Sequence, residues 1–136
     1  MHKILVIDDS LAALQMVETM LVEAGHEVTA CLESRDVLRL LENETFDLIV
    51  TDIYMPDHDG LEIIREARWI CPQVPIVALS GLTGSRDLLP IAKHLGACQT
   101  LQKPFDKNTL LNIVDTALGQ CVPTCNASVD GPKRWA

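Results

Sequence analysis

Five polar residues stand where apolar runs stop. Asp8 and Asp9 follow KILVI, Asp52 follows LIVT, Ser80 ends PIVALS, and Lys103 follows QTLQ. Three carboxylates brought into one cleft would repel, and each would resist ionisation unless a cation lay among them. Mg²⁺ suits such a set, because it takes hard oxygen ligands and keeps several waters. A carboxylate held beside Mg²⁺ with a lysine opposite is poised to attack a phosphorus centre and form an aspartyl phosphate. Asp52 is the best nucleophile of the set, since its run reads as a central strand followed by a turn rather than a helix cap. Lys103 would pair with one phosphoryl oxygen, and Ser80 would donate its hydroxyl to another.

Each residue also has a plainer reading. Asp8 and Asp9 could serve only to favour the positive end of the helix that follows. Lys103 could be a solvated surface lysine, and Ser80 an ordinary turn serine. The plainer readings weaken once the elements that carry these residues are placed.

KILVID at 3–8 is short, apolar and rich in β-branched residues, and reads as a strand buried on both faces. Ser10 is expected to cap a helix with Leu11, Leu14, Val17 and Leu21 on its apolar stripe and Gly25 as its stop. A weaker strand at 27–31 follows, then a helix capped by Ser34 and carrying Val37, Leu38, Leu40 and Leu41. DLIVTD at 47–52 is the third strand, and YMPDHDG at 54–60 is a loop full of turn residues. Next come a helix from Leu61 to about Ile70 and a strand at 75–80. Gly81 and Gly84 mark a flexible loop before a helix around 88–95. The fifth strand spans 97–102, and Asp106 caps a last helix through Leu110, Val114, Ala117 and Leu118.

Five β-α units imply an α/β fold with parallel strands, right-handed crossovers and helices on both faces. In such an open sheet, ligands bind outside the carboxyl ends of the strands. Four of the five strands deliver a chemically useful group to that edge. The second delivers none, which fits a place at the border of the sheet.

The 136 residues correspond to a single domain on the usual size prior. The net charge of −8 argues against a nucleic-acid-binding surface as the main role. No apolar run reaches the roughly 18 residues of a membrane span, and the N-terminal residues lack the pattern of a secretion signal, so a cytoplasmic protein is expected. Cys31, Cys71, Cys98, Cys121 and Cys125 are scattered, which reads poorly as a disulfide framework or a zinc site. Residues 119–136 contain Pro123, Gly131 and Pro132 without an apolar period, and are expected to form a mostly disordered tail after a domain at 1–118. Asn126 lies in a chance glycosylation sequon, His58 reads as a solvated loop histidine, Trp69 as packing at the end of the third helix, and Trp135 as an exposed tail residue.

In this order and spacing, IDDS with Asp8 and Asp9, TDIYMPDHDG with Asp52, Pro56 and Gly60, ALSG with Ser80, and LQKPF with Lys103 and Pro104 resemble a response-regulator receiver domain. The resemblance covers about residues 2–118. Each fragment alone is weak, and the combination is specific. It implies a CheY-like, flavodoxin-like fold with a five-stranded parallel sheet of order 2-1-3-4-5. It also implies phosphoryl transfer to Asp52 from a histidine kinase or a histidine phosphotransfer protein, in a two-component or phosphorelay system.

By the same resemblance, Asp8, Asp9, Asp52 and the backbone carbonyl of Tyr54 form the Mg²⁺ set, Ser80 is the switch hydroxyl, Lys103 is the family lysine, and Lys103-Pro104 is a cis bond. The switched surface would include Arg86, Asp87, Lys93, His94, Gln99 and Lys107, acting on a downstream protein target, with no nucleic-acid contact and no membrane insertion. Such a protein is a self-phosphorylating acceptor rather than a turnover enzyme. With no module recognisable after Leu118, a stand-alone receiver is expected.

Two departures from the family pattern stand out. The position just before Leu101, where the family often places an aromatic partner of the switch hydroxyl, is Thr100, so coupling between strands four and five must use another packing change. Tyr54 and Leu82, two positions beyond Asp52 and Ser80, are bulky and would screen an aspartyl phosphate from water. Slow hydrolysis is therefore expected. Tyr54→Asn or Leu82→Ala should speed dephosphorylation, and unchanged decay in both would remove the idea.

Three rivals remain at this stage. An aspartyl-nucleophile phosphatase needs an acid/base Asp two residues after its nucleophile, and Ser10 stands there after Asp8. A flavodoxin-like cofactor binder needs a phosphate loop after strand one, and DDSLAA is acidic instead. The third is a receiver-shaped scaffold that is not regulated by phosphorylation.

Overall fold

The computed structural model describes residues 2–55, 58–80, 89–103 and 105–125. Its elements run β1 (Lys3–Ile7), α1 (Leu11–Glu23), β2 (Glu27–Cys31), a 3₁₀ turn (Ser34–Asp36), α2 (Val37–Asn43), β3 (Leu48–Asp52), β4 (Tyr54–Met55), β5 (His58–Asp59), α3 (Gly60–Ile70), β6 (Ile76–Ser80), α4 (Leu89–Leu95), β7 (Gln99–Gln102) and α5 (Lys107–Cys125). The main sheet is wholly parallel with order β2-β1-β3-β6-β7. Counting its five strands alone, this is the expected 2-1-3-4-5 arrangement.

The apolar runs form strands because both faces of the sheet are covered. Leu5, Ile7, Ile49, Ile76 and Ala78 meet Val37 and Leu41 of α2, Ile63, Ile64 and Ala67 of α3, and Ala92 of α4. On the other face Ile4, Val6, Leu48, Val50, Val77 and Leu79 meet Leu14, Val17 and Leu21 of α1 and Leu110, Val114 and Ala117 of α5. Alternate residues of one strand thus enter opposite layers. Ile64 is fully buried in the first layer. Ile64→Ala should cost about 2–5 kcal/mol through lost burial and the cavity left behind. Urea unfolding with an unchanged m-value is the check; a loss below about 1 kcal/mol would contradict this packing.

Helix ends follow local chemistry. Ser10 Oγ accepts the Ala13 N–H at 3.4 Å, and Gly25 after α1 has φ +96°, a left-handed conformation suited to glycine. Asp106 Oδ1 accepts the Thr109 N–H at 2.8 Å at the start of α5.

Several expectations need correction. The helix expected to start at Ser34 opens with the 3₁₀ turn, and Asp36 occupies the N-cap of α2. Leu11, at the first position of α1, is 56% exposed, and the buried stripe of the helix begins at Leu14. Trp69 is 82% exposed rather than packed: the buried stripe of α3 runs through Ile63, Ile64 and Ala67, and a 3.6-residue period turns position 69 to solvent. The segment expected to be a plain loop pairs Tyr54 with Asp59 and Met55 with His58 as an antiparallel ribbon. The last helix continues past Leu118 to Cys125, into the stretch expected to be tail, with residues 126–136 outside those described.

Candidate functional site

Register brings the acids level. Ile7 pairs with Thr51, so the next residue of each strand, Asp8 and Asp52, emerges side by side at the carboxyl edge. Asp52 pairs in turn with Leu79, and Ser80 with Gln102, which sets Lys103 just beyond the same edge. Alternation places Asp8, Asp52 and Lys103 with Val6, Val50 and Leu101, on the side of the sheet covered by α1 and α5. Ser80 and Thr100 share the parity of Ala78, on the side covered by α3 and α4.

Lys103 Nζ donates to Asp8 Oδ2 at 3.0 Å and to Asp52 Oδ2 at 3.2 Å. Asp8 and Asp52 are nearly inaccessible, whereas the Lys103 side chain retains 22% exposure. Burial alone would lower the Lys103 pKa, but the Asp8 hydrogen bond and the charges of Asp52 and Asp8 outweigh it and hold the ammonium above its ordinary value. Asp8, Asp9 and Asp52 offer carboxylate oxygens that all lie within 4.8 Å of one another, with Asp9 exposed at the mouth. Three carboxylates against one ammonium leave this pocket with a formal charge of −2. An all-oxygen set carrying that residual charge fits a hard divalent cation.

The backbone supports this cluster at points that sequence reading missed. Asp8 N–H donates to the Cys31 carbonyl at 3.2 Å, and Asp8 Oδ1 accepts the Ser10 N–H at 3.0 Å. That second bond is an Asx turn, and the Asp-x-Ser spacing was its signal. Lys103 N–H donates to the Ser80 carbonyl at 2.7 Å, which ties the lysine backbone just after β7 to the end of β6. Cys31 is a buried thiol that donates to the Glu33 carbonyl at 3.0 Å.

The structure therefore unites Asp8, Asp9, Asp52 and Lys103 directly. Ser80 stands at the same edge on the adjacent strand, and Thr100 lies two strand positions inward from Gln102, opposite Ala78. Tyr54 opens β4 two residues beyond Asp52. The expectations for the Tyr54 and His58 side chains, Leu82, Arg86, Asp87, the Lys103-Pro104 bond, the Cys121 and Cys125 thiols, Asn126 and Trp135 lie outside what is described. Lys93, His94 and Lys107 are exposed, and Gln99 is half-buried. Among the described residues, no helix is long and apolar enough to cross a membrane.

Comparison with known proteins agrees with this architecture. The chain is 32% identical over 127 residues to the DNA-binding transcriptional regulator NtrC of Azospirillum brasilense, covering 93% of this chain and 26% of that protein. It is 32% identical over 131 residues to the response regulator protein FleR of Pseudomonas aeruginosa, covering 96% of this chain and 27% of that one. The chain thus spans about a quarter of the length of these curated relatives.

A crystal structure of a response regulator receiver domain protein from Clostridium thermocellum superimposes with TM-score 0.81 at 34% identity, over 88% of this chain and 96% of the other. A CheY-like receiver domain protein from Methanospirillum hungatei gives TM-score 0.80 at 28% identity, over 87% and 94%. A family model for the response regulator receiver domain matches residues 4–115. With its sheet order, acidic pocket and bridging lysine in agreement, the chain belongs to the response regulator receiver domain family.

Proposed function

We propose that this receiver accepts a phosphoryl group on Asp52 from a phosphohistidine donor, a histidine kinase or a histidine phosphotransfer protein, and thereby switches a protein-binding surface. The observation that carries the reading is the Lys103 ammonium joined at once to Asp8 and Asp52 in an acidic pocket.

Asp8, Asp9 and Asp52, with the Tyr54 carbonyl, are the residues that would hold Mg²⁺. When bound, Mg²⁺ offsets charge on the transferring phosphoryl oxygens and orients them. The remaining work falls to the chain itself. An Asp52 carboxylate oxygen forms the new bond to phosphorus as the P–N bond of phosphohistidine breaks, and the imidazole leaves with the bonding electron pair. Lys103 then exchanges part of its contact with Asp52 for a phosphoryl oxygen. Ser80, at the end of the neighbouring strand, is drawn toward the new phosphoryl oxygens, strong acceptors that carry more negative charge than the carboxylate they replace. Its displacement favours one of two conformations separated by a few kcal/mol.

On this reading the chain is an acceptor that takes one phosphoryl group per molecule in the cytoplasm, not an enzyme turning over a small phosphoester. What the activated surface controls is another protein rather than nucleic acid or lipid. The test is incubation with Mg²⁺ and acetyl phosphate, followed by intact mass. One added phosphoryl group per chain, requiring Mg²⁺, is the expected result. No incorporation from acetyl phosphate or from a phosphorylated histidine phosphotransfer protein would favour an unregulated scaffold. Multiple turnovers of a small phosphoester would favour the phosphatase.

A further inference from the structure

One guanidinium ties two helices together at their carboxyl ends. Arg68, near the end of α3, donates from Nη1 to the Pro72 carbonyl at 2.6 Å and from Nη2 to the Gly96 carbonyl at 2.7 Å. Gly96 terminates α4. Its N–H donates to the Lys93 carbonyl at 3.1 Å, and the Ala97 N–H donates to the Ala92 carbonyl at 3.0 Å, which together make a Schellman turn. Gly96 has φ +131°, and a Cβ there would lie 2.9 Å from Arg68 Nε and 3.3 Å from its Cγ. Close approach of the arginine and the left-handed turn therefore require glycine at the same position. A cation at two helix carboxyl ends is also favoured by both backbone dipoles.

The other end of α4 is connected differently. Residues 81–88 join it to Ser80, the hydroxyl at the end of β6. Ala92 is fully buried against the sheet near the middle of the helix. At seven residues, α4 is a lever roughly 10 Å long, tied at one end to α3 and linked at the other to the strand that carries Ser80.

We propose that Arg68 is a positioning residue that pins the carboxyl end of α4 to α3, so that a displacement at Ser80 swings α4 about Gly96 instead of translating it. The pin itself is a property of the unmodified chain. The swing rests on the reading of Asp52 as phosphoacceptor. Because the pinned end stays in register with α3, the displacement within α4 is greatest in its amino-terminal part, and the exposed face of α3 around Trp69 does not take part.

Amide exchange of the unmodified chain, followed by NMR in wild type, Arg68→Ala and Arg68→Lys, tests the pin. The Gly96 and Ala97 amides should exchange about tenfold faster in Arg68→Ala, the scale of one charge-assisted hydrogen bond, with Arg68→Lys intermediate. Leu21 and Val114 amides should be unchanged, showing the fold intact. Gly96→Ala should produce the same local loosening from the other partner. Equal exchange at Gly96 and Ala97 in all variants overturns the pin.

Beryllofluoride with Mg²⁺ tests the swing. In wild type the amide shift changes should decline along α4 from Leu89 to Leu95 and vanish at Gly96. In Arg68→Ala they should extend through Gly96 and Ala97. A flat profile along α4 in wild type, or the same profile in the variant, overturns the swing. If the Asp52 amide itself does not respond to beryllofluoride, the phosphoacceptor reading has failed instead, and the exchange experiment alone decides the pin.

Discussion

Asp52→Asn should abolish phosphoryl incorporation while leaving the chain folded and as stable as wild type or more so. An amide is a far weaker nucleophile than a carboxylate, so bond formation to phosphorus loses its electron donor. The same change removes one negative charge from a pocket whose acids lie within 4.8 Å of one another. Asp52 is 6% exposed, so this repulsion is poorly screened by solvent. The Asn side chain can still accept from Lys103 through its carbonyl oxygen. Intact mass after acetyl phosphate treatment reads the first effect and thermal unfolding without divalent cations reads the second. Residual stoichiometric labelling of Asp52→Asn would move the acceptor to another residue. A marked loss of stability would mean that the Lys103–Asp52 ion pair outweighs the repulsion.

Lys103→Met should have the second largest effect, and it should depend on divalent cation. Without Mg²⁺, the substitution leaves three clustered carboxylates without their ammonium. Removing one partner of a buried ion pair costs on the order of 3 kcal/mol, and the residual solvent access of Lys103 keeps the loss near the low end of the measured range. Mg²⁺ should then restore much of it. In wild type a cation at 100 times its Kd contributes about 2.7 kcal/mol, or roughly 10 °C in Tm for a domain of this size. In Lys103→Met the gain at saturation should be larger, because the pocket holds formal charge −3 rather than −2. Asp9→Asn should reduce the gain in both backgrounds. Thermal melts of the four proteins with and without Mg²⁺ decide the matter. Equal Mg²⁺ gains in wild type and Asp9→Asn would remove Asp9 from the cation set. A smaller gain in Lys103→Met would show that the lysine helps to build the cation site rather than competing for it.

Much of the fold was legible before the structure because its signals are local. KILVI, LIVT and IVALS are runs too short for typical helices, and a fully covered parallel sheet is where such runs can be buried. Ser10, Gly25 and Asp106 act within a few residues of themselves, so their helix boundaries could be placed. Ser34 could not be told from Asp36, since both are good capping residues and only the path of the chain into α2 selects between them. Trp69 was misplaced because its size suggested burial, while the helical phase set by Ile63, Ile64 and Ala67 turned it outward. The extension of α5 to Cys125 was obscured by Gly119 and Pro123, whose low helix propensity is only a weak guide in context.

What the sequence by itself determined was the cast of the site: three carboxylates, a hydroxyl and a lysine, each placed at the end of an apolar run. Strand identity and that edge placement depend on residues that are neighbours in the chain. Only the tertiary structure decided that Asp8 and Asp52 emerge level, that Lys103 bonds both, that Ser80 and Thr100 share the opposite layer, and that Arg68 reaches Gly96. Those relations depend on register and packing between segments tens of residues apart. A one-residue slip of β3 against β1 would have kept every local pattern while turning Asp52 away from Asp8.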